Sequence, residues 1–111
     1  MDSRQLKTTE MLRRVQVFGA KHGADFPRGS NATKRFEDID ALLLKIDALI
    51  DLENEFGGNK GQVTRGLNPI LKDAVAKVRQ LDAPISRKYA ENKKMMREWE
   101  TASQVDYAQC L

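Results

Sequence analysis

The sequence of 111 residues has one cysteine, one histidine and no stretch longer than six residues without Asp, Glu, Lys or Arg. The single cysteine, Cys110, excludes an intrachain disulfide and fits a reducing compartment. A structural zinc site takes four Cys or His ligands and a catalytic site usually takes three protein ligands, so this inventory argues against zinc. The frequent charges predict that no helix of the chain spans a membrane.

The composition is that of a folded domain. Hydrophobic residues make up 41% of the chain and charged residues 32%, which is too apolar for general disorder. A chain of this length buries about two-thirds of its unfolded surface in one core. The N-terminal stretch MDSRQLKTTEMLRR lacks the apolar segment and cleavage site of a secretory signal and carries no lipidation pattern. We therefore predict a single domain over 1–111 and a cytoplasmic location.

Side chains that carry out catalysis or bind metals are few. Asp47 and Asp51 are spaced i, i+4, which places two carboxylates on one helix face, but the Glu-x-x-His elements of di-iron bundles are absent. His22 stands at a predicted helix end, where its ring can interact with the last carbonyl groups. No pattern resembles an activated nucleophile. The sequence predicts no enzyme, no cofactor and no metal.

The net charge of +3 conceals three blocks of alternating sign. Residues 1–36 have eight basic against three acidic side chains, residues 37–55 have one against seven, and residues 56–111 have ten against six. Such alternation favours elements that attract one another, or a self-complementary surface, over one continuous basic face.

Apolar residues recur with helical spacing along most of the chain, most clearly over 31–56. This spacing predicts one long amphipathic helix, capped at its start by Asn31 or Thr33 and ended by Gly57. Its stripe repeats every three or four positions and comprises Phe36, Ile39, Leu43, Ile46 and Ile50, widened by Leu42, Leu49 and Phe56.

Helices are also predicted on both sides of this one. The first of these helices is predicted to end at Gly23, which can adopt the left-handed conformation of a residue that ends a helix. The apolar side of this helix holds Met11, Leu12, Val15 and Phe18. Later, Asn68 and Pro69 predict a helix start, because the missing donor of proline costs nothing in the first turn. The apolar face of that helix holds Leu71, Ala74, Val75, Val78 and Leu81.

Pro84 is expected to interrupt that helix, since its ring disfavours helical geometry at Ala83 and removes a backbone donor. A kink or a new helix is predicted there, and Asn92 is a candidate cap for a last short helix. The apolar side of the last helix holds Met95, Met96, Trp99 and Ala102. No run with strand spacing competes, so the predicted class is all-α: an antiparallel bundle of about four helices, the last one short or kinked at a proline.

The stretch FGGNKGQVTRG holds four of the seven glycines. A phosphate-binding loop needs a preceding strand and the order G-x-x-x-x-G-K followed by Ser or Thr, whereas here Lys60 precedes Gly61 and a helix comes first. We predict a flexible connection between two helices over 57–66 and a frayed tail over 106–111.

Two functional hypotheses follow. The long helix is apolar at more positions than short neighbours are expected to cover, which predicts a contact face for a protein partner or for self-association. The candidate residues of this interaction face are Phe36, Ile39, Leu43, Ile46 and Ile50.

The alternative hypothesis is nucleic-acid binding by the basic segment 85–97. Its candidate contacts are Arg87, Lys88, Lys93, Lys94 and Arg97, with Tyr89 and Trp99 nearby for stacking on bases. The segment also has the outline of a helix-turn-helix, but the glycine common in that turn is missing. The apolar Met95, Met96 and Trp99 fit a core better than a docking surface.

Three stretches of the chain resemble a group of uncharacterised small bacterial proteins. They are MLRRVQVFG near the start, LDAPISRKYAEN later and WETASQV near the end, and together they span residues 9–105. The resemblance implies a small cytosolic helical protein of bacterial origin and brings no activity, cofactor or site residue with it. The ending DYAQCL departs from the group.

Overall fold

The helical spacing of the sequence corresponds to four α-helices in the part of the chain that the structure describes. The computed structural model describes residues 3–56 and 60–105, with side chains described over 3–52 and 65–105. Helix α1 spans Ser3–His22, and a 3₁₀ turn follows over Gly23–Asp25. Helix α2 spans Asn31–Phe56, α3 spans Lys60–Lys88 and α4 spans Lys93–Ser103. The prediction of an all-α bundle with a short last helix is confirmed.

Successive helices pack antiparallel around one core. Arg13 and Gln16 of α1 contact α2 at Asp47 and Asp40, in reverse order along the chain. The most extensive contact joins α2 to α3, while α4 packs against α1 and α3. Among the described residues, no helix has the length and hydrophobicity of a membrane span. The fully buried large side chains are Met11, Leu12, Val15, Ile39, Leu43, Ile46, Leu67, Val78, Leu81 and Ile85.

Helix α3 continues through Pro84, so the predicted alternative of a new helix that begins there is wrong. Val78, Leu81 and Ile85 are fully buried on both sides of the proline. Each such side chain stabilises the fold by about 1.5–3 kcal/mol, and together they offset the cost of roughly 3 kcal/mol for an interior proline. The break comes instead after Lys88, and α4 begins behind Asn92.

The start of α3 also differs from the sequence prediction. The helix begins at Lys60, so residues 60–66 belong to it and Asn68 and Pro69 lie in its interior. The neighbouring Leu67 is fully buried, and a Cβ atom added at Gly66 would lie 3.6 Å from the nearest methyl group of Leu49 in α2, an ordinary van der Waals distance. Packing against α2 therefore offsets the low helix propensity of glycine, about 1 kcal/mol per residue. Residues 57–59 of the predicted connection and the predicted tail over 106–111 lie outside the described residues.

The helix ends follow local hydrogen bonding more than the expected capping residues. Ser30, rather than Asn31 or Thr33, caps α2, because its Oγ accepts from the Thr33 amide at 3.3 Å. The residue with positive φ among those described is Gly29 (φ 76°), in the turn before α2, and not Gly23. The prediction for Asn92 is confirmed: its side chain accepts from the Met95 amide at 3.2 Å and starts α4.

Gly19 sets how closely α1 approaches α2. A Cβ atom at this position would lie 2.6 Å from Cδ1 of Phe36 and 3.0 Å from Cγ of the same ring. These distances are well inside van der Waals contact, and Phe36 is a buried core residue. The absence of a side chain at position 19 therefore allows the ring to lie directly against the α1 backbone.

We expect Gly19→Ala to destabilise the protein. Overpacking costs about 1–3 kcal/mol, against a gain in helix propensity of up to about 1 kcal/mol. Gly66→Ala is the matched control within another helix, since a Cβ atom at this position would meet only ordinary contacts. We expect this substitution to stabilise the protein by about 0.5–1 kcal/mol. Urea unfolding followed by circular dichroism measures both changes. Equal stabilisation by the two substitutions would show that Phe36 does not restrict α1.

Candidate interaction surface

The interaction face predicted on α2 lies inside the protein's own core. Four of its residues are buried by the other helices, and Ile50 is partly buried against the same core. The stripe is therefore covered within one chain, and the expectation that it forms an exposed contact surface is corrected. The four buried residues are Phe36, Ile39, Leu43 and Ile46.

A different apolar surface lies on the opposite side of α1 and α2. Val17 is 63% exposed and Leu44 is 72% exposed. Leu6 and Leu52 are each 46% exposed, so all four exposed large apolar side chains of the described residues belong to these two helices. Isolated exposed leucines are common, but a group on one side of a helix pair suggests a contact surface.

Two polar contacts bridge α1 and α2 along this surface. Arg13 Nη2 donates to Asp47 Oδ1 at 2.5 Å, and Gln16 Nε2 donates to Asp40 Oδ1 at 3.0 Å. Arg13 is one turn before Val17 in α1, and Asp40 and Asp47 are one turn before and after Leu44 in α2. Val17 and Leu44 therefore flank the same seam between the helices.

We call this surface the outer face. It comprises the exposed residues of both helices that lie about a whole number of turns from Val17 or Leu44 and therefore share their side of the helix. Exposed alanines lie one turn from each of the two apolar centres along its own helix. The apolar residues of the outer face are Leu6, Val17, Ala20, Ala41, Leu44 and Ala48, with Leu52 at its edge.

A groove of about 590 Å³ opens on the outer face between the end of α1 and the start of α2. Gly19 and Phe36 line it, together with Val17, Glu37 and Asp40. The groove is apolar where Gly19 approaches the Phe36 ring, and Glu37 and Asp40 place carboxylates on its α2 side. Its chemistry suits an apolar or basic side chain of a protein partner better than an anion.

Unpaired carboxylates give the outer face a negative charge. Glu10 lies seven residues before Val17, and Glu37 and Asp51 lie seven residues before and after Leu44, which places all three on the same side as the apolar centres. All three are exposed, and none forms an ion pair with a described residue.

The cations nearest Val17 are engaged within the chain, whereas Lys34 and Lys45, on the α2 edge that also holds Leu52, are exposed without an ion-pair partner among the described residues. Arg13 pairs with Asp47, and Lys21 Nζ lies 3.3 Å from Glu98 Oε1. The outer face therefore combines an apolar centre with acidic ends.

The basic residues considered for nucleic-acid binding form a second surface. We call it the basic corner, because it joins the end of α3 to the start of α4. All five side chains are exposed, and none forms an ion pair with another described residue. The basic corner comprises Arg87, Lys88, Lys93, Lys94 and Arg97.

The aromatic side chains next to the basic corner point into the fold. Tyr89 is buried, and its hydroxyl donates to Asp25 Oδ2 at 2.7 Å. Burial, and secondarily this hydrogen bond, raises the pKa of Tyr89 well above its usual range. Trp99 is also buried, and its Nε1 donates to Asp82 Oδ1 at 2.9 Å. Neither ring is exposed for stacking on a base.

A cluster of three charged or titratable side chains connects α1 to α4. His22 Nε2 lies 3.0 Å from Glu98 Oε1, which also accepts from Lys21, and the imidazole packs on Phe18 at a ring distance of 4.8 Å. The hydrogen bond from His22, followed by that from Lys21, lowers the pKa of Glu98 below its usual value of 4.5. The ionised carboxylate therefore helps to hold the short α4 in place.

The lowered pKa of Glu98 predicts a loss of stability in acid. The ionised Glu98 carboxylate adds to the free energy of unfolding at pH values above its unfolded-state pKa of 4.5. This contribution is lost as the pH falls through that value and then through the lower folded-state pKa. We expect Glu98→Gln to reduce the free energy of unfolding near pH 7 and to match the wild type near pH 3. Urea unfolding at both pH values measures this difference. Glu100→Gln is the control, since Glu100 is exposed without an ion-pair partner among described residues, and an equal effect of both changes would contradict the pairing.

The residues of the outer face were missed by sequence reasoning, which used apolar spacing to find the core. One signal was available: Leu42, Leu43 and Leu44 are consecutive, and three successive helical positions span about 200°, too wide for a single packed stripe. The pairing of His22 with Glu98 left no such signal, because 76 residues separate them.

Of the two carboxylates at i, i+4 in α2, Asp47 forms an ion pair with Arg13, whereas Asp51 has no ion-pair partner among the described residues. Within the described residues, no group of three or more His, Cys, Asp and Glu side chains is arranged to hold a metal ion. Comparison of the chain with models of protein families, with characterised proteins and with solved structures gives no match. The functional interpretation therefore depends on the surface chemistry of this chain.

Proposed function

We propose that the protein acts by binding protein through its outer face, by self-association or with another partner. One observation supports this proposal above the rest: Val17 and Leu44, 63% and 72% exposed, flank one seam. Removing such side chains from water stabilises a complex in proportion to the apolar area covered. The proposal replaces the stripe of α2 with the surface on its opposite side, while the kind of function stays the same.

Size measurements on purified protein test this proposal. We expect the wild type to sediment faster as its concentration rises, and the double variant Val17→Ser, Leu44→Ser to stay monomeric with unchanged helix content. Two exposed alanines of α3, replaced in Ala76→Ser with Ala83→Ser, serve as a control outside the outer face. A wild type that stays monomeric across the series, or a double variant that associates like the wild type, would contradict self-association through the outer face.

A second candidate function is nucleic-acid binding by the basic corner. The observation in its favour is the exposure of five basic side chains without ion-pair partners among the described residues. Because Tyr89 and Trp99 are buried, such binding would depend on phosphate contacts and weaken steeply with salt. Fluorescence anisotropy with a labelled mixed-sequence DNA, at low and physiological salt, tests it. Binding that survives in Lys93→Glu, Lys94→Glu would remove the basic corner from this role.

The remaining sequence predictions stay proposals. They are membership of the group of small bacterial proteins, a cytoplasmic location and a role that is not enzymatic. A protein of this kind would act by bringing surfaces together, and the outer face and the basic corner are the two surfaces whose chemistry fits that task.

A further inference from the structure

The outer face and the basic corner have opposite charge and lie on different helix pairs of one chain. The outer face has three carboxylates without ion-pair partners among described residues, Glu10, Glu37 and Asp51. Within residues 85–97, which contain the basic corner, Glu91 is the single acidic residue against five basic ones. The chain thus carries both halves of a charge-complementary contact.

Internal pairing does not satisfy these charges. The ion pairs among the described residues use other side chains, such as Arg13 with Asp47, Lys21 with Glu98 and Lys77 with Asp73. Opposite charges on separate molecules steer association within a Debye length, about 8 Å at physiological ionic strength. The free charges of both surfaces are therefore available to a second molecule.

Two copies of the outer face do not complement each other. A symmetric contact would place the acidic ends of one face against those of the other, and like charges across an interface suppress association. A contact between the outer face and the basic corner instead pairs opposite charges at the rim and covers Val17 and Leu44 at the centre. Because the two surfaces differ, such a contact is head to tail and leaves one surface of each type free in every dimer.

We propose that the outer face of one copy binds the basic corner of a second copy, so that the protein assembles head to tail. This inference rests on the proposed function, because it requires the outer face to be a protein contact surface. It assigns the exposed bases of α3 and α4 to protein recognition rather than to nucleic acid. Repetition of the contact closes a ring or extends a filament, according to the rotation between copies.

Complementation between two variants tests the proposal. The face variant is Val17→Ser, Leu44→Ser, and the corner variant is Lys93→Glu, Lys94→Glu. The corner variant is expected to fold, because both lysines are exposed and lie in the first turn of α4, where the helix dipole favours negative charge. A control with the same change of charge, Arg65→Glu with Lys72→Glu, alters exposed residues of α3 outside the basic corner.

Sedimentation velocity of each protein alone and of the equimolar mixture gives the result. We expect each variant alone to associate at least about tenfold more weakly than the wild type and the control. The mixture is expected to form a dimer that grows no further, since each variant brings one working surface. Raising the salt from about 50 to about 500 mM should weaken this dimer.

Each contrary result identifies a different error. If the corner variant alone associates like the wild type while the face variant does not, the outer face binds protein but the head-to-tail contact is wrong. A mixture that stays monomeric while the wild type associates also overturns the head-to-tail contact. A wild type that stays monomeric at every concentration contradicts both this contact and self-association. Binding of labelled DNA that the corner variant abolishes, with association unchanged, would assign the basic corner to nucleic acid.

Discussion

Replacement of Leu43 by Asp is expected to unfold the protein, whereas the same replacement at the next position, Leu44, leaves the fold intact. The two leucines are adjacent in α2, but Leu43 is 1% exposed and Leu44 is 72% exposed. An unpaired carboxylate in the core, with the loss of a buried leucine, costs more than about 5 kcal/mol. A small domain is stable by only about 5–15 kcal/mol.

At Leu44 the carboxylate stays in water. We expect Leu44→Asp to change the free energy of unfolding by no more than about 1 kcal/mol, from the lower helix propensity of Asp and the repulsion of neighbouring carboxylates. Far-UV circular dichroism and urea unfolding separate the two variants. A folded Leu43→Asp protein that has only lost its oligomeric state would show that Leu43 contacts another copy instead of the core.

The second large effect is expected at Trp99, which holds α4 against the rest of the fold. Its ring lies 5.2 Å from that of Phe18 in α1, and its Nε1 donates to Asp82 in α3. Helix α4 has only 11 residues, and isolated helices of this length are marginal in water. The tertiary contacts of Trp99 are therefore needed to keep α4 helical.

We expect Trp99→Ala to cost about 3–5 kcal/mol and to release α4 before the other helices unfold. Trp99→Phe keeps the ring contact and loses the hydrogen bond to Asp82, at a cost of about 1–2 kcal/mol. Native-state hydrogen exchange measures the local opening of α4 amides. Arg97→Ala, an exposed change in the same helix, is the control, and equal protection of α4 in Trp99→Ala and Arg97→Ala would contradict this role.

The release of α4 also provides a link between stability and the proposed assembly. Lys93, Lys94 and Arg97 belong to α4, so the basic corner has its shape only while this helix is docked. We expect Trp99→Ala to weaken head-to-tail association without altering the outer face. A mixture of Trp99→Ala with the corner variant should form no dimer, because neither protein then has a working basic corner.

Sequence reasoning placed the helices well and their ends poorly. Apolar spacing predicts α1, α2, α3 and α4, because burying one side of a helix requires an apolar residue about every 3.6 positions. Pro84 and the glycines of 57–66 predict wrong helix boundaries, since local helix propensity contributes less free energy than the burial of Val78, Leu81 and Ile85. Asn92 was placed correctly because a cap depends on residues only three positions apart.

The functional surface was harder to predict than the fold. The same spacing that marks Ile39 and Leu43 as apolar does not say whether another helix or another protein covers them. Only the packing of α1 and α3 against α2 shows that this stripe is core, while Val17 and Leu44 are exposed. The buried positions of Tyr89 and Trp99 beside the basic corner likewise follow from partners 64 and 17 residues away in the chain.

The amino-acid sequence alone is enough to predict that this protein is helical, that its apolar residues form stripes and that its charge alternates along the chain. Those properties depend on side chains within a few turns of one another. Which stripe is buried, where Pro84 is tolerated and which charges stay unpaired were decided by the tertiary structure. Each of those outcomes is a competition between contacts of residues far apart in sequence, and only the packed helices bring these residues together.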